Sequence, residues 1–376
     1  MRTPICDRFG IKYPIFAFTR SPAVVAEVSK AGGMGVLGAI AFTADQLADA
    51  LAWVDEHIEG QPYGVDVVMP AGIVEGTDPA GFQSMIPEEH RRFVAEVLER
   101  YNVPPLPEGQ APPEGLLSWV HDRARSQVEV ALAHPIRLLA NALGPPPADV
   151  VEAAHKKDVP VAALVGSAEQ ARRQVEAGVD VIVAQGSEAG GHTGMISTMV
   201  LVPEVVAAVR PTPVLAAGGI GTGAQVVAAL ALGAEGAWTG SLWLTTAEAD
   251  THPVVVNKLL AASSRDTVRS RSWTGKPARL LRTAWTDVWD AEDSPGALPM
   301  PLQFMLTAEA QGRMHSYADR EDSGAKELVG SPVGQIVGSM TRVRPAGEVV
   351  ADLVQGFEET VDRLSNILSQ TDGPGQ

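Results

Sequence analysis

Pro213-Val-Leu-Ala-Ala-Gly-Gly-Ile-Gly-Thr-Gly223 decides the fold. A short apolar run enters four glycines, and the Ala-rich segment 224–232 behind them has the pattern of a helix. A strand turning into a helix is the unit of a parallel α/β fold. Glycines let the backbone approach a ligand closely, and a helix start offers N–H groups to an anion. A second strand-end loop follows at Trp238-Thr-Gly-Ser241. Paired loops on the last two strands are a recurrent phosphate site of the (β/α)8 barrel. The glycine order here is not the Gly-x-Gly-x-x-Gly of a dinucleotide fold. The glycines serve either tight turns alone or a phosphate, and that phosphate belongs either to a sugar phosphate or to FMN.

Working outward, short apolar runs at 13–18, 35–39, 64–68, 136–141, 160–164, 180–184, 213–216 and 236–239 read as eight strands. Helical material follows each one. The clearest helices are 21–31, 43–58, 148–157, 167–177, 203–209 and 224–232, with a short one near 241–246. Ser21 and Thr43 stand at N-cap positions, with Pro22 in the first helical position. Ala31-Gly-Gly, Ala177-Gly-Val-Asp and Leu232-Gly-Ala read as glycine C-caps entering strands. The fold class is α/β, a (β/α)8 TIM barrel with a helical insertion after strand 3 and a C-terminal extension. Residues 1–70 and 131–250 form the barrel. Residues 71–130, with Pro104-Pro105 and Pro112-Pro113, form the insertion, which is either a lid or a surface excursion with an oligomer contact. Residues 251–376 pack on the barrel as the extension, ending in an amphipathic helix over 346–368.

The chain has 376 residues, 45% hydrophobic, and a net charge of −16. That charge disfavours nucleic-acid or anionic-membrane partners. No apolar run is long enough to span a bilayer, and no leader-like segment opens the chain, so a cytoplasmic location is expected. One cysteine, Cys6, leaves no internal disulfide and no cysteine-based zinc site, and it reads as a small packed residue. No metal site is expected.

The chemistry concentrates in Val183-Ala-Gln-Gly-Ser-Glu-Ala-Gly-Gly-His-Thr-Gly194. This loop follows the sixth strand and places His192 at the catalytic face. Of the eight histidines, only His192 lies in a glycine-rich strand-end loop; His57, His90, His121, His134 and His155 read as surface residues. Gln185 offers an amide to the edge of a heterocycle. Glu188 either orients His192 or plays a structural part. Asp66 either faces the mouth or caps backbone N–H groups.

Together, Ala31-Gly-Gly-Met-Gly-Val-Leu-Gly38, Tyr63-Gly-Val-Asp66, Ala184-Gln-Gly-Ser-Glu-Ala-Gly-Gly-His192, Ala217-Gly-Gly-Ile220 and Ala229-Leu-Ala-Leu-Gly-Ala-Glu-Gly-Ala-Trp-Thr-Gly-Ser241 resemble the nitronate monooxygenase (2-nitropropane dioxygenase-like) family. The resemblance covers residues 5–250. It implies FMN as cofactor, with Asp66, Gln185, Gly190, Gly191, Gly218, Gly219, Gly240 and Ser241 around it and His192 as the catalytic base. It implies oxidative denitrification of nitronates, or nitroalkanes, with O2. The alternatives are an NAD(P)H-dependent FMN quinone or enoyl-thioester reductase and, from another class, a non-redox phosphate-binding barrel isomerase. A homodimer is compatible with the sequence. Two positions depart from the family pattern. Asp66 stands where many members have asparagine. Pro14-Ile-Phe-Ala-Phe-Thr-Arg20 replaces a Pro-Met-x-Gly turn.

Overall fold

The structure, a computed structural model, describes residues 1–69, 79–106 and 121–371. Eight parallel strands close a barrel: β1 Ile15–Thr19, β2 Met34–Gly38, β3 Tyr63–Val68, β4 Leu138–Ala142, β5 Val161–Val165, β6 Val181–Gln185, β8 Val214–Ala217 and β9 Gly236–Thr239. Outside it lie α2 Pro22–Lys30, α3 Ala44–His57, α6 His121–Ala133, α7 Ala148–His155, α8 Ala168–Glu176, α9 Thr198–Val209 and α10 Gly223–Ala231. A short 3-10 turn, Ser241–Thr245, follows β9.

Local chemistry fixes these boundaries. Thr43 and Gln46 form a reciprocal capping box on α3, and Thr222 and Gln225 form another on α10. Gly32, Gly178 and Gly233 all adopt positive φ where their helices turn into strands, as the sequence led us to expect. Ser21 is a correction. It precedes α2, but its hydroxyl caps nothing in that helix and accepts instead from the N–H of Asp250 at 2.7 Å. Helix α9 is a second correction, since it starts at Thr198 and carries Pro203 inside it. Its first turn is anchored by the Glu188 carboxylate, which accepts from Thr198 N and Oγ1.

Alternation along the strands sorts their side chains. Ile15, Ala17, Val65, Val67, Ile182, Ala184 and their counterparts face the helices in one large core. Phe16, Met34, Val36, Leu138, Ala140, Val181, Val183, Leu215 and Trp238 fill the barrel interior. The helix α1, Pro4–Phe9, closes the lower end with Ile5, Cys6 and Phe9. Cys6 is therefore a packed residue, as expected.

The insertion and the extension share a core of their own. Helix α5, Glu88–Arg100, contributes Val94, Val97 and Leu98. Helices α11 Pro253–Ala261, α12 Ala284–Trp289, α13 Leu302–Ser316 and α14 Ala325–Leu328 contribute Leu259, Trp285, Trp289, Ala310, Met314 and Leu328. His90, on α5, is buried in this region rather than on the surface, its Nε2 donating to the carbonyl of Gly296 at 3.0 Å. Helix α4 is Pro79–Met85. The parts of the expected insertion at 70–78 and 107–120 lie outside the described residues. Helix α6, in the last part of the 71–130 stretch, packs on α3 and β3 in the outer layer of the barrel. The long α15, Ala346–Thr371, lies on α10 and α2, its Gly356 against Gly223.

The extension also holds a feature absent from the sequence reading. Strands β10 Thr267–Ser270 and β11 Ala278–Leu281 form an antiparallel pair, and β11 pairs with β7, the dipeptide Gly191–His192.

Candidate active site

Followed from strand to strand, the pairing register returns to β3 offset by eight residues, the shear of this barrel class. Each strand thus steps by one residue, and inward side chains of alternate strands share a level. Near the C-terminal end one level holds Phe18, Asp66, Leu164 and Ala217. The next level up holds Gly38, Ala142, Gln185 and, just past β9, Gly240. Three of those four residues are glycine or alanine, so this level is a nearly open floor with one amide at its edge. Beneath it, Trp238 stacks between Phe16 and Phe18 with centroids 6.2 and 6.5 Å away. The result is an aromatic plug beneath a level of small residues at the strand C-termini.

Asp66 belongs to the uppermost filled level. It is 3% exposed, and its carboxyl has no hydrogen-bond partner among the described residues. Burial pushes its pKa up to about 7, because desolvation penalises the anion. It caps no backbone N–H group among the described residues, and its place in the barrel register faces it to the interior. Gln185 likewise has no side-chain partner among the described residues, which leaves its amide available to a ligand.

The glycine loops form a cradle. Gly218 and Gly219 adopt φ of 98° and 70°, and a Cβ at Gly240 would meet nothing within 4 Å. The N–H groups of Gly218, Gly219, Gly240 and Ser241 donate to no acceptor among the described residues. The start of α10 is different. The N–H groups of Gly221 and Thr222 both donate to Gln225 Oε1, at 2.8 and 3.0 Å. The donors expected from that helix start are thus partly consumed by its own cap, and the free ones lie earlier in the loop. Ser241 Oγ accepts from Gly334 N at 2.8 Å and keeps its own hydrogen to donate. Gly190 has a protein neighbour, since a Cβ there would stand 2.8 Å from Val333. Gly191 needs its positive φ of 76° to turn the chain into β7.

His192 is held by the extension. Its Nδ1 lies 3.2 Å from the carbonyl oxygen of Pro277, which can only accept, so Nδ1 carries the proton and Nε2 is the basic nitrogen. Thr274 Oγ1 lies 3.4 Å from Nε2. Burial, with the nearby charge of Lys276, lowers the imidazole pKa against the raising effect of Pro277. The loop is clamped from the same side, because Arg279 Nε donates to Ser187 O at 2.9 Å and Arg269 Nη2 to Thr193 O at 3.2 Å. Glu188 makes no bond to His192; its carboxylate serves α9 as described above. Thr274, Pro277, Arg269 and Arg279 escaped the sequence reading. Their signal, two four-residue strands flanking Gly275, is too short to separate from irregular chain.

Residues 2–356 match the family model described as Nitronate monooxygenase. The chain belongs to the nitronate monooxygenase family. Among its relatives is Rv1533 of Mycobacterium tuberculosis, named as a monooxygenase. It is 54% identical over 375 residues, 98% of this chain and 100% of that protein. A Staphylococcus saprophyticus protein named as a nitronate monooxygenase is 29% identical over 82% of this chain and 86% of its own length. The solved nitroalkane oxidase from Streptomyces ansochromogenes is similar with a TM-score of 0.78 at 26% identity, covering 96% of this chain and 99% of that one. FabK from Thermotoga maritima is similar with a TM-score of 0.71 at 27% identity, covering 98% and 99%. As a member of this family the protein is a flavin-dependent oxidoreductase on a (β/α)8 barrel. No helix among the described residues is long and apolar enough to cross a membrane, and none of their His, Cys, Asp and Glu side chains cluster as a metal site.

Proposed function

We propose that this protein oxidises alkyl nitronates with O2, using FMN, to a carbonyl compound and nitrite. The observation that carries the reading is the pairing of glycine loops with unpaired N–H groups on β8 and β9 with His192, whose Nδ1 is held by Pro277 O and whose Nε2 is the basic nitrogen. The residues fit FMN. The unpaired N–H groups of Gly218, Gly219, Gly240 and Ser241 would hold its phosphate, and Asp66 and Gln185 would meet the polar edge of its ring system. Bound FMN would supply the electron transfer. The protein supplies the rest. A neutral nitroalkane gives its α-proton to His192 Nε2, while Pro277 O keeps Nδ1 protonated and fixes the ring. A nitronate arrives already deprotonated and needs His192 only as a hydrogen-bonding partner. The clamp from Arg269 and Arg279 holds the loop so that Nε2 does not wander. We assign the mouth's cover to helices α4 and α5 of the insertion and to the extension they pack on.

A second reading, reduction of an enoyl thioester or quinone by NAD(P)H, draws on the likeness to FabK. Incubation with FMN, then assay of nitrite release from ethyl nitronate against NADH oxidation with a quinone or enoyl thioester, separates the two. Nitrite with matching O2 uptake supports the first reading; NADH oxidation without nitrite supports the second.

A further inference from the structure

Arg20 ends the segment in which this chain departs from the family pattern, one residue beyond β1. Its parity along the strand is that of Phe16 and Phe18, which face the barrel interior. The inner face of Gly38 confirms the direction. A Cβ on Gly38 would stand 2.8 Å from the Phe18 ring and 3.6 Å from Arg20 Cγ. The Arg20 stem therefore runs over the Phe18 ring and leans toward β2, away from the phosphate cradle on β8 and β9.

The guanidinium has no ion pair and no hydrogen bond among the described residues. Protein surrounds it enough for burial to lower its pKa, with no offsetting acid among the described residues. Yet the side chain is solvent-accessible. Accessible and ringed by protein is the condition of a group on the wall of a concave site. His315, on α13, shares it. The His252 segment is tied to the end of β1, since Asp250 N donates to Ser21 Oγ at 2.7 Å, and burial first, then the charges of Arg20 and His252, lowers the His315 pKa. His252 Nδ1 accepts from Val254 N at 3.2 Å, which places the proton of the neutral ring on Nε2 as a free donor. In a chain of net charge −16, an arginine with no ion pair among the described residues is a local source of positive field.

We propose that Arg20, flanked by His315 and His252, is an anion subsite that takes a planar two-oxygen group of the substrate. A guanidinium fork matches such a group with two parallel N–H···O bonds. A carboxylate carried by the substrate and the nitronate group itself share this shape and charge. The subsite rests on the proposed function for its role, but anion binding alone tests it without turnover.

The test uses the full-length, FMN-saturated protein, with Arg20→Met and Arg20→Lys. Propionate, which cannot react, is titrated while the visible spectrum of the bound flavin is followed. Steady-state rates are then taken on ethyl nitronate and on propionate 3-nitronate. Loss of charge-assisted bonds should weaken propionate binding and raise KM about ten- to a hundredfold in Arg20→Met, with kcat and flavin content held, and less in Arg20→Lys. A KM effect confined to propionate 3-nitronate supports the subsite as a carboxylate reader; an effect on both substrates supports it as a reader of the nitronate oxygens. Wild-type protein inactive on both nitronates, but binding propionate through Arg20, would defeat the proposed function and leave the subsite standing. Propionate binding unchanged in Arg20→Met, or lowered flavin affinity with propionate binding intact, overturns the subsite.

Discussion

Asp66→Asn offers a quantitative test of the floor of the mouth. The carboxyl has an ordinary value of 3.8 and is pushed up to about 7 by burial. A raised folded pKa means that the folded protein binds the proton more tightly than the unfolded chain. Stability then falls as pH rises from about 4 to about 7, by about 1.4 kcal/mol per unit, and stays flat above. The loss over that window is about 4 kcal/mol, an upper figure because solvent entering the mouth relieves part of it. Asparagine has nearly the same shape and no charge. At pH 4 the two proteins should be close in stability. By pH 8 the Asp66→Asn protein should be the more stable by up to about 4 kcal/mol. Urea unfolding of both proteins without FMN, whose binding would add its own difference, from pH 4 to pH 8 reads the effect, and the other titrating groups cancel in it. A difference that stays level with pH would refute the desolvated, unpaired carboxyl. A variant less stable at pH 8 would show that Asp66 has a cationic partner.

Gly240→Ala meets no protein atom within 4 Å, so the fold should hold while flavin affinity drops, and Gly219→Val at φ 70° should do the same with added strain; flavin content equal to wild type in both would remove the cradle. His192→Asn should lower kcat/KM on neutral nitroalkanes by about 10²–10⁴-fold and on nitronates by less, with an unaltered flavin spectrum; equal losses on both would make His192 an orienting group. Because burial lowers the His192 pKa, the acid limb of the nitroalkane profile should fall below histidine's ordinary value; a limb above it would contradict the buried ring. Hydrogen exchange within 79–106 should slow on ligand binding if the insertion covers the mouth; unchanged exchange would count against a cover there.

The barrel was legible because its signals are local. Each strand is a short apolar run, and glycines such as Gly178 and Gly233 mark where helices end. The glycine loops and His192 drew attention for the same reason, as glycine-rich stretches at strand ends. The partners of His192 were not, because Pro277 lies 85 residues away and reaches it only through the pairing of β11 with β7. Helix α1 is six residues long, below the length at which a period shows. Ser21 misled because a hydroxyl before a helix reads as a cap wherever it points, and here it points to Asp250. Arg20 stood out as a departure, but only the barrel register shows that it faces inward over Gly38.

The proposed oxidation of nitronates does not depend on a nicotinamide donor. Its most direct test is the anaerobic addition of ethyl nitronate, and separately of NADH and NADPH, to the FMN-loaded protein in a stopped-flow spectrometer. The flavin absorbance near 450 nm should bleach rapidly with the nitronate, nitrite and the carbonyl compound should appear when O2 is readmitted, and neither nicotinamide should reduce the flavin at a comparable rate. Rapid bleaching by NADH or NADPH, with no change on adding the nitronate, would contradict it.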